Sequence, residues 1–190
     1  MISDFTQLSL TEIRAEAAAI AADAEQMFSH LSTAQLNWQP HAEAWSVAQC
    51  LDHLLNANQE MLQAMDKALA DTHRPGVFER LPVLPALFGK LMIKAVSPQA
   101  KQKLKAPATA RPTTSAIDEQ IIARFVTRQH ALTDRFNALA QAGNVVMTSP
   151  FASLVTYSVL DACRLIVAHE RRHLAQARRV LETPGFPVGI

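Results

Sequence analysis

The sequence predicts an all-α fold, a four-helix bundle with a short extra helix in the long connection between helices 2 and 3, and three observations carry that expectation. Four long stretches repeat apolar residues at three- and four-residue steps, the period of one helix face. Several open on a Ser with Glu, Gln or Asp three residues later, a pattern that caps helix starts. No convincing run of alternating apolar and polar residues argues for a strand. With 190 residues, 49% of them hydrophobic, the chain can bury one substantial core, so residues 1–190 are expected to form a single domain.

The first helix opens at the capping box Ser9-Leu10-Thr11-Glu12 and carries Ile13, Ala17, Ile20, Ala24, Met27 and Leu31 along one face. Ser32-Thr33-Ala34-Gln35 caps one further turn, and Trp38, Pro40, His41 and Trp45 then mark an irregular connection. Ser46 with Gln49 starts the second helix, expected from Val47 to Leu69, with Trp45 in place to staple against Cys50. Leu51, Leu54, Met61, Leu62, Met65 and Leu69 form its apolar face, and His53, Ala57, Glu60 and Ala64 run along one margin. Asn58 falls inside the apolar arc, where it needs a hydrogen-bond partner.

From Thr72 to Pro112 prolines break the pattern, apart from a short apolar helix over Leu84 to Val96 that covers a flank of the bundle or meets a second subunit. The third long helix is expected to start near Ser115, to carry Ile117, Ile121, Phe125, Leu132, Phe136 and Leu139, and to end at Gly143-Asn144. After a loop through Pro150, Ser158 caps the fourth, whose stripe of Val159, Cys163, Ile166, Leu174, Ala177 and Leu181 runs until Pro184-Gly185.

Eighteen Lys and Arg against 17 Asp and Glu leave a net charge of +1, which favours neither nucleic acid nor an anionic membrane. Two cysteines, Cys50 and Cys163, sit within helical patterns, as suits a reducing compartment. With no basic region followed by an apolar run at Met1 to Phe5, and no apolar stretch of membrane-spanning length, the expectation is a cytoplasmic protein.

The chemistry concentrates in His169-Glu170-Arg171-Arg172-His173. Histidines four apart on a helix project from one face and can share a metal ion. H-E-x-x-H also matches the zinc-protease pattern, with Glu170 as general base, but none of the residues after His173 is a histidine to complete such a site. The better third ligand is His53, brought in from another helix of the bundle. Glu170 points among Ile166, Cys163, Leu174 and Ala177, so it is expected to be buried and to need a partner, an arginine across the bundle or a ligand histidine. That favours a supporting role over a catalytic base. Glu60, two turns after His53, is the candidate catalytic proton acceptor, with a solvated edge carboxylate as the alternative. Cys50 reads as a small buried hydrophobe, the arginines of the last helix as a mostly solvated face. His30, His41, His73 and His130 lack partners at ligand spacing, and of these His41 is nearest in sequence to the second helix.

These residues resemble the DinB-like superfamily, the DinB/YfiT-like putative metalloenzymes, in the Trp45-Ser46 helix start leading to His53-Leu54 and in the late His169-x-x-x-His173 followed by Gln176. Leu36-Asn37-Trp38-Gln39-Pro40 is similar to the family's lead-in, and the likeness runs from about Leu8 to Leu181. The resemblance implies a four-helix bundle, often a homodimer, in which His53, His169 and His173 hold a divalent ion such as zinc or nickel. It also implies, for some members, transfer or isomerisation chemistry with a low-molecular-weight thiol. The expected function is therefore metal-dependent thiol transfer to a small electrophile. Metal-dependent hydrolysis, or a non-catalytic bundle that binds a metal or small ligand, are the alternatives.

Overall fold

Helix starts written into the sequence become helix starts in the computed structural model, which describes residues 4–70, 74–80, 83–101, 105–139 and 142–187. Helix α1 (Leu10–Phe28) and α2 (Thr33–Asn37) each begin in a reciprocal capping box, Ser9 with Glu12 and Ser32 with Gln35. Helix α3 (Val47–Leu69) begins in a third, Ser46 with Gln49. Helix α6 (Val159–Leu181) opens on Ser158, whose side chain accepts from the Asp161 backbone N–H. The short α4 (Leu84–Val96) also falls where expected, but Val83 at its start provides no side-chain cap.

Two boundaries differ from expectation. Helix α1 stops at Phe28 rather than reaching Leu31. Helix α5 (Gln120–Leu139) starts later than Ser115 because Asn37 captures the backbone of Ile117. The Asn37 Oδ1 accepts from the Ile117 N–H at 2.8 Å and its Nδ2 donates to the Ile117 carbonyl at 2.7 Å. That backbone is then unavailable to a helix ladder.

The expected loop through Pro150 is instead an antiparallel hairpin, β1 (Val146–Ser149) and β2 (Ala152–Ser158), with Met147 opposite Tyr157 and an irregularity at Thr148/Ser149. Val146, Thr148, Val155, Thr156 and Tyr157 are residues that suit a pleated strand; Met147 and Tyr157, paired across the hairpin, are buried on one face, and Thr156 is buried on the other.

Helix α1 packs on α5 and α6, and α3 packs on α6 and α5. Arg164 of α6 donates to the Leu8 carbonyl, and Arg171, two turns on, pairs with Glu16 and Asp23 of α1, so α1 and α6 run parallel. Along α3, His53 meets His169 whereas Met61 meets Tyr157, just ahead of α6, so that pair is antiparallel. Asp66 pairs with Arg135, which together with the meeting of Asn58 and Gln129 on Glu170 sets α5 parallel to α3. The inner faces merge into one apolar cluster that includes Ile13, Phe28, Leu54, Met65, Phe125, Phe136, Ile166 and Leu174.

Helix α4 lies over the hairpin and α6, with Pro85, Gly89, Ile93 and Val96 inward. Its outer face leaves Leu87 and Leu91 exposed, beside the exposed Val77, Phe78, Val83 and Leu154. Ahead of α5, a strap without regular structure apart from a 3-10 turn at Ala108–Ala110 follows one face of α3. Gln49, Asp52, His53 and Asn56, at helical spacing, bond to the backbones of Thr113, Ala110 and Arg111. Among the described residues, no helix is long and apolar enough to cross a membrane.

Candidate metal centre

His53 of α3 and His169 and His173 of α6 come together at the α3–α6 seam. One ring nitrogen of each lies within 4.8 Å of the others, and among the described residues this is the group of His, Cys, Asp or Glu side chains able to hold an ion. The ring centroids are 4.6 to 5.0 Å apart. His169 and His173 meet because one helical turn separates them, as their spacing predicts. His53 joins them because α3 crosses α6 at that level, something spacing alone does not fix.

The ring of His53 is oriented from behind. Its Nδ1 donates to the Ala110 carbonyl, an acceptor only, which assigns the proton to Nδ1 and leaves the Nε2 lone pair facing the cluster. That Nε2 lies 3.3 Å from the Nε2 of His169. Two nitrogens on a tetrahedral zinc, each about 2.0–2.1 Å from the ion, stand about 3.3–3.4 Å apart. The pair therefore fits a shared ion without rearrangement, and in the metal-free protein the same contact is an N–H···N hydrogen bond. His173 is also suited to a ligand role, since its Nδ1 is buried and forms no well-made hydrogen bond, although Gln176 lies close by. Trp45 closes one side, with its ring centroid 5.6 Å from that of His173 in a stacked arrangement and 4.8 Å from that of His53.

Burial sets the charge state. It lowers the pKa of His53, against the opposing pull of the Ala110 hydrogen bond. It lowers that of His169 well below the usual range, helped by the closeness of His173 and His53. It lowers His173 to about 3, with His53 and Arg172 adding in the same sense. At neutral pH all three rings are neutral, the form a metal requires.

Glu170 is fully buried, as its helical direction predicts, but its partners are neither an arginine nor a ligand histidine. Its Oε1 accepts from Asn58 Nδ2 at 2.6 Å and also from Gln129 Nε2 of α5. The partner that Asn58 needed is thus Glu170. Burial pushes the Glu170 carboxyl up to about 7, against the lowering effect of those two bonds.

Other residues fall away from the centre. Glu60 is half-buried on α3 and its carboxylate is not part of the cluster. His30, His41 and His130 are exposed, and His73 lies outside the described residues. Trp45 covers histidines rather than serving only as a staple toward Cys50. Arg178 and Arg179 of α6 are exposed as expected, but Arg171 joins Glu16 and Asp23, and Arg172 donates to the carbonyls of Ala95 at the end of α4 and of Ser97 and Ala100 just beyond it. Three contributors escaped the sequence reading, namely Ala110, which acts only through its carbonyl, Gln129, and Trp45 as a lid. For Gln129 a signal existed, since it is a polar residue four positions after Phe125 on the apolar face of α5.

A mostly helical architecture with three neutral, converging imidazoles defines a protein equipped to hold a metal ion. The chain belongs to the DinB superfamily, whose family model matches residues 16–177. No curated protein and no solved structure matches it.

Proposed function

We propose that the chain is a metal-dependent enzyme that transfers a small thiol to a small electrophile, on a four-helix bundle formed by α1, α3, α5 and α6. His53, His169 and His173 would hold the divalent ion, zinc or nickel, and the observation that carries this is the 3.3 Å approach of two Nε2 atoms on neutral rings, that of His53 buried and that of His169 half-buried. A divalent ion bound there supplies a Lewis acid that lowers the pKa of a thiol or water at the remaining position. Burial pushes Cys50 and Cys163 each up to about 12, so neither is a thiolate at neutral pH. That supports a thiol drawn from a free, low-molecular-weight donor. The two unpaired cysteines also accord with a cytoplasmic setting.

The test is metal analysis of the purified protein with turnover of several low-molecular-weight thiols against an electrophile. One bound ion per chain, lost in His53→Ala as fully as in His169→Ala, together with thiol-dependent turnover, is the expected result. Thiol-independent ester hydrolysis would replace transfer with hydrolysis, and full metal without any turnover would leave a binding module. Glu60 lies about 10 Å along α3 from His53, given 1.5 Å per residue, so it enters only as a proton acceptor on the far side of a substrate. Glu60→Gln should then lower turnover and leave metal content unchanged.

We also propose a homodimer through the outer face of α4, supported by the exposed Leu87 and Leu91, one turn apart, with Val83 and Leu154 beside them. Leu87→Asp with Leu91→Asp should halve the mass seen by light scattering. A wild-type protein that is monomeric at micromolar concentration would remove the dimer.

A further inference from the structure

Asn58, Glu170 and Gln129 form a polar cluster where three helices meet, and all are buried, with 2%, 0% and 1% exposure. One carboxylate oxygen receives both amide donors, whereas Glu170 Oε2 and Gln129 Oε1 have no hydrogen-bond partner. Such a cluster is a poor source of stability. Burying a carboxylate with only part of its capacity satisfied is costly, and apolar residues of similar volume in such places often stabilise a protein as well or better. What hydrogen bonds of this kind do supply is register, because they tolerate one relative placement of the helices and no sliding.

The placement at stake is that of the candidate ligands. Glu170 is the residue after His169 and three before His173 on α6, and Asn58 stands five residues beyond His53 on α3. A bond from Asn58 to Glu170 therefore fixes how far α6 lies along α3 within a turn or two of all three histidines. Gln129 makes the same oxygen a tie to α5, which otherwise touches α6 little. The helices could be held together by Leu54, Ile166 and their neighbours, but apolar contacts allow small shifts, and a change on the order of 1 Å matters to a metal site.

We infer that Asn58 and Gln129 are positioning residues which, through Glu170, lock the α3–α6 register and so hold His53 in ligand geometry against His169 and His173. This rests on the metal-site reading above, but its first test does not need an ion. In metal-free protein, nuclear Overhauser cross-peaks between the ring protons of His53 and His169 report their contact directly. The combined variant Asn58→Leu, Gln129→Met, Glu170→Met should fold, with a melting temperature equal to or above wild type, and lose or strongly weaken those cross-peaks. Zinc affinity by competition with a chelating dye should fall ten- to hundredfold, the range seen when groups behind metal ligands are removed. Glu170→Gln, whose carbonyl still accepts both amide donors, should keep the cross-peaks.

Wild-type cross-peaks and wild-type zinc affinity in the combined variant would show that the cluster is merely structural, and would overturn the inference. If the combined variant does not fold, Asn58→Leu alone cuts the tie to α3 and is read in the same way. Should wild-type protein take up no zinc, the metal-site reading fails while the cross-peaks still decide the register lock: their loss in the variant supports it and their persistence overturns it.

Discussion

The α3–α6 seam and the layer formed by α4 with the hairpin are made by opposite means. Along the seam, buried polar groups answer one another, Asn58 to Glu170 with Gln129 joining from α5, and His53 is held from behind by the Ala110 carbonyl. Across the outer layer, α4 has no side-chain cap and seats on α6 where Gly89 leaves room for Asp161, with Arg172 of α6 reaching the carbonyls at its C-terminal end. The outward side of that layer keeps Val83, Leu87 and Leu91 in water. Hydrogen bonds specify one geometry, and apolar contact specifies proximity. A site that requires three side chains to converge belongs on the first kind of surface.

The largest effect expected from breaking this contrast is on the seam, through pH. Glu170 rises from 4.5 in an unfolded chain to about 7 in the fold. A raised carboxyl pKa means that the folded state holds its proton more tightly, so its contribution is full below pH 4.5 and is lost as pH rises through 7. At 1.36 kcal/mol per pH unit the loss is about 3 kcal/mol for a fully buried group. In chelator, urea unfolding of wild type and Glu170→Gln should differ little at pH 4.5, with the variant gaining by about that amount near pH 7–8. The histidines act in the other sense, since pKa values depressed in the fold withdraw stability as pH falls below 6.5, but they do so in both proteins and cancel in the difference. A constant difference across this range would mean that Glu170 does not titrate near neutrality.

On the outer layer the sharpest probe is Gly89→Ala. A Cβ there would stand 2.5 Å from Asp161 Oδ2, and Asp161 is held by Arg164 at 2.8 Å and cannot easily give way. Overpacking of this kind costs about 1–3 kcal/mol, to be read from the urea midpoint. Because α4 meets α6 here near its start rather than at the histidines, zinc affinity should stay within about twofold of wild type. A stable Gly89→Ala protein would show that α4 shifts freely, and a large loss of zinc affinity would tie the two surfaces together.

How legible each surface was follows from the same contrast. The starts of α1, α3, α4 and α6 and the burial of Glu170 and Asn58 could be read directly, because capping boxes and helical period are local rules, whereas His53, placed on a margin of its helix, is in fact buried. The coming together of His169 and His173 was also local, whereas the arrival of His53 required knowing that α3 crosses α6. The identity of Glu170's partners was not legible, since Gln129 is 41 residues away and nothing local marks the pairing. The hairpin was missed because its β-branched residues lie in two short segments around Pro150, where turn signals dominate. The delayed start of α5 was hidden too, because Asn37 imposes it from 80 residues away.

The smallest effect compares the two kinds of helix start. Ser46 is buried, its Oγ accepts from the Gln49 N–H at 3.1 Å, and the box sets where α3 begins, immediately after the Trp45 ring that covers His53 and His173. Ser46→Ala removes an acceptor from a helix end, at a cost of about 1 kcal/mol. The corresponding residue of α4, Val83, accepts no such bond and is exposed, so Val83→Ala should change stability by no more than about 0.5 kcal/mol. Because the Ser46 cap lies two turns before His53, its loss also loosens the first turn under Trp45, and tryptophan fluorescence of Ser46→Ala should report a more exposed indole before global unfolding. Equal losses in the two variants, or an indole signal that changes only with the whole fold, would show that the start of α3 is held by its apolar contacts rather than by its cap.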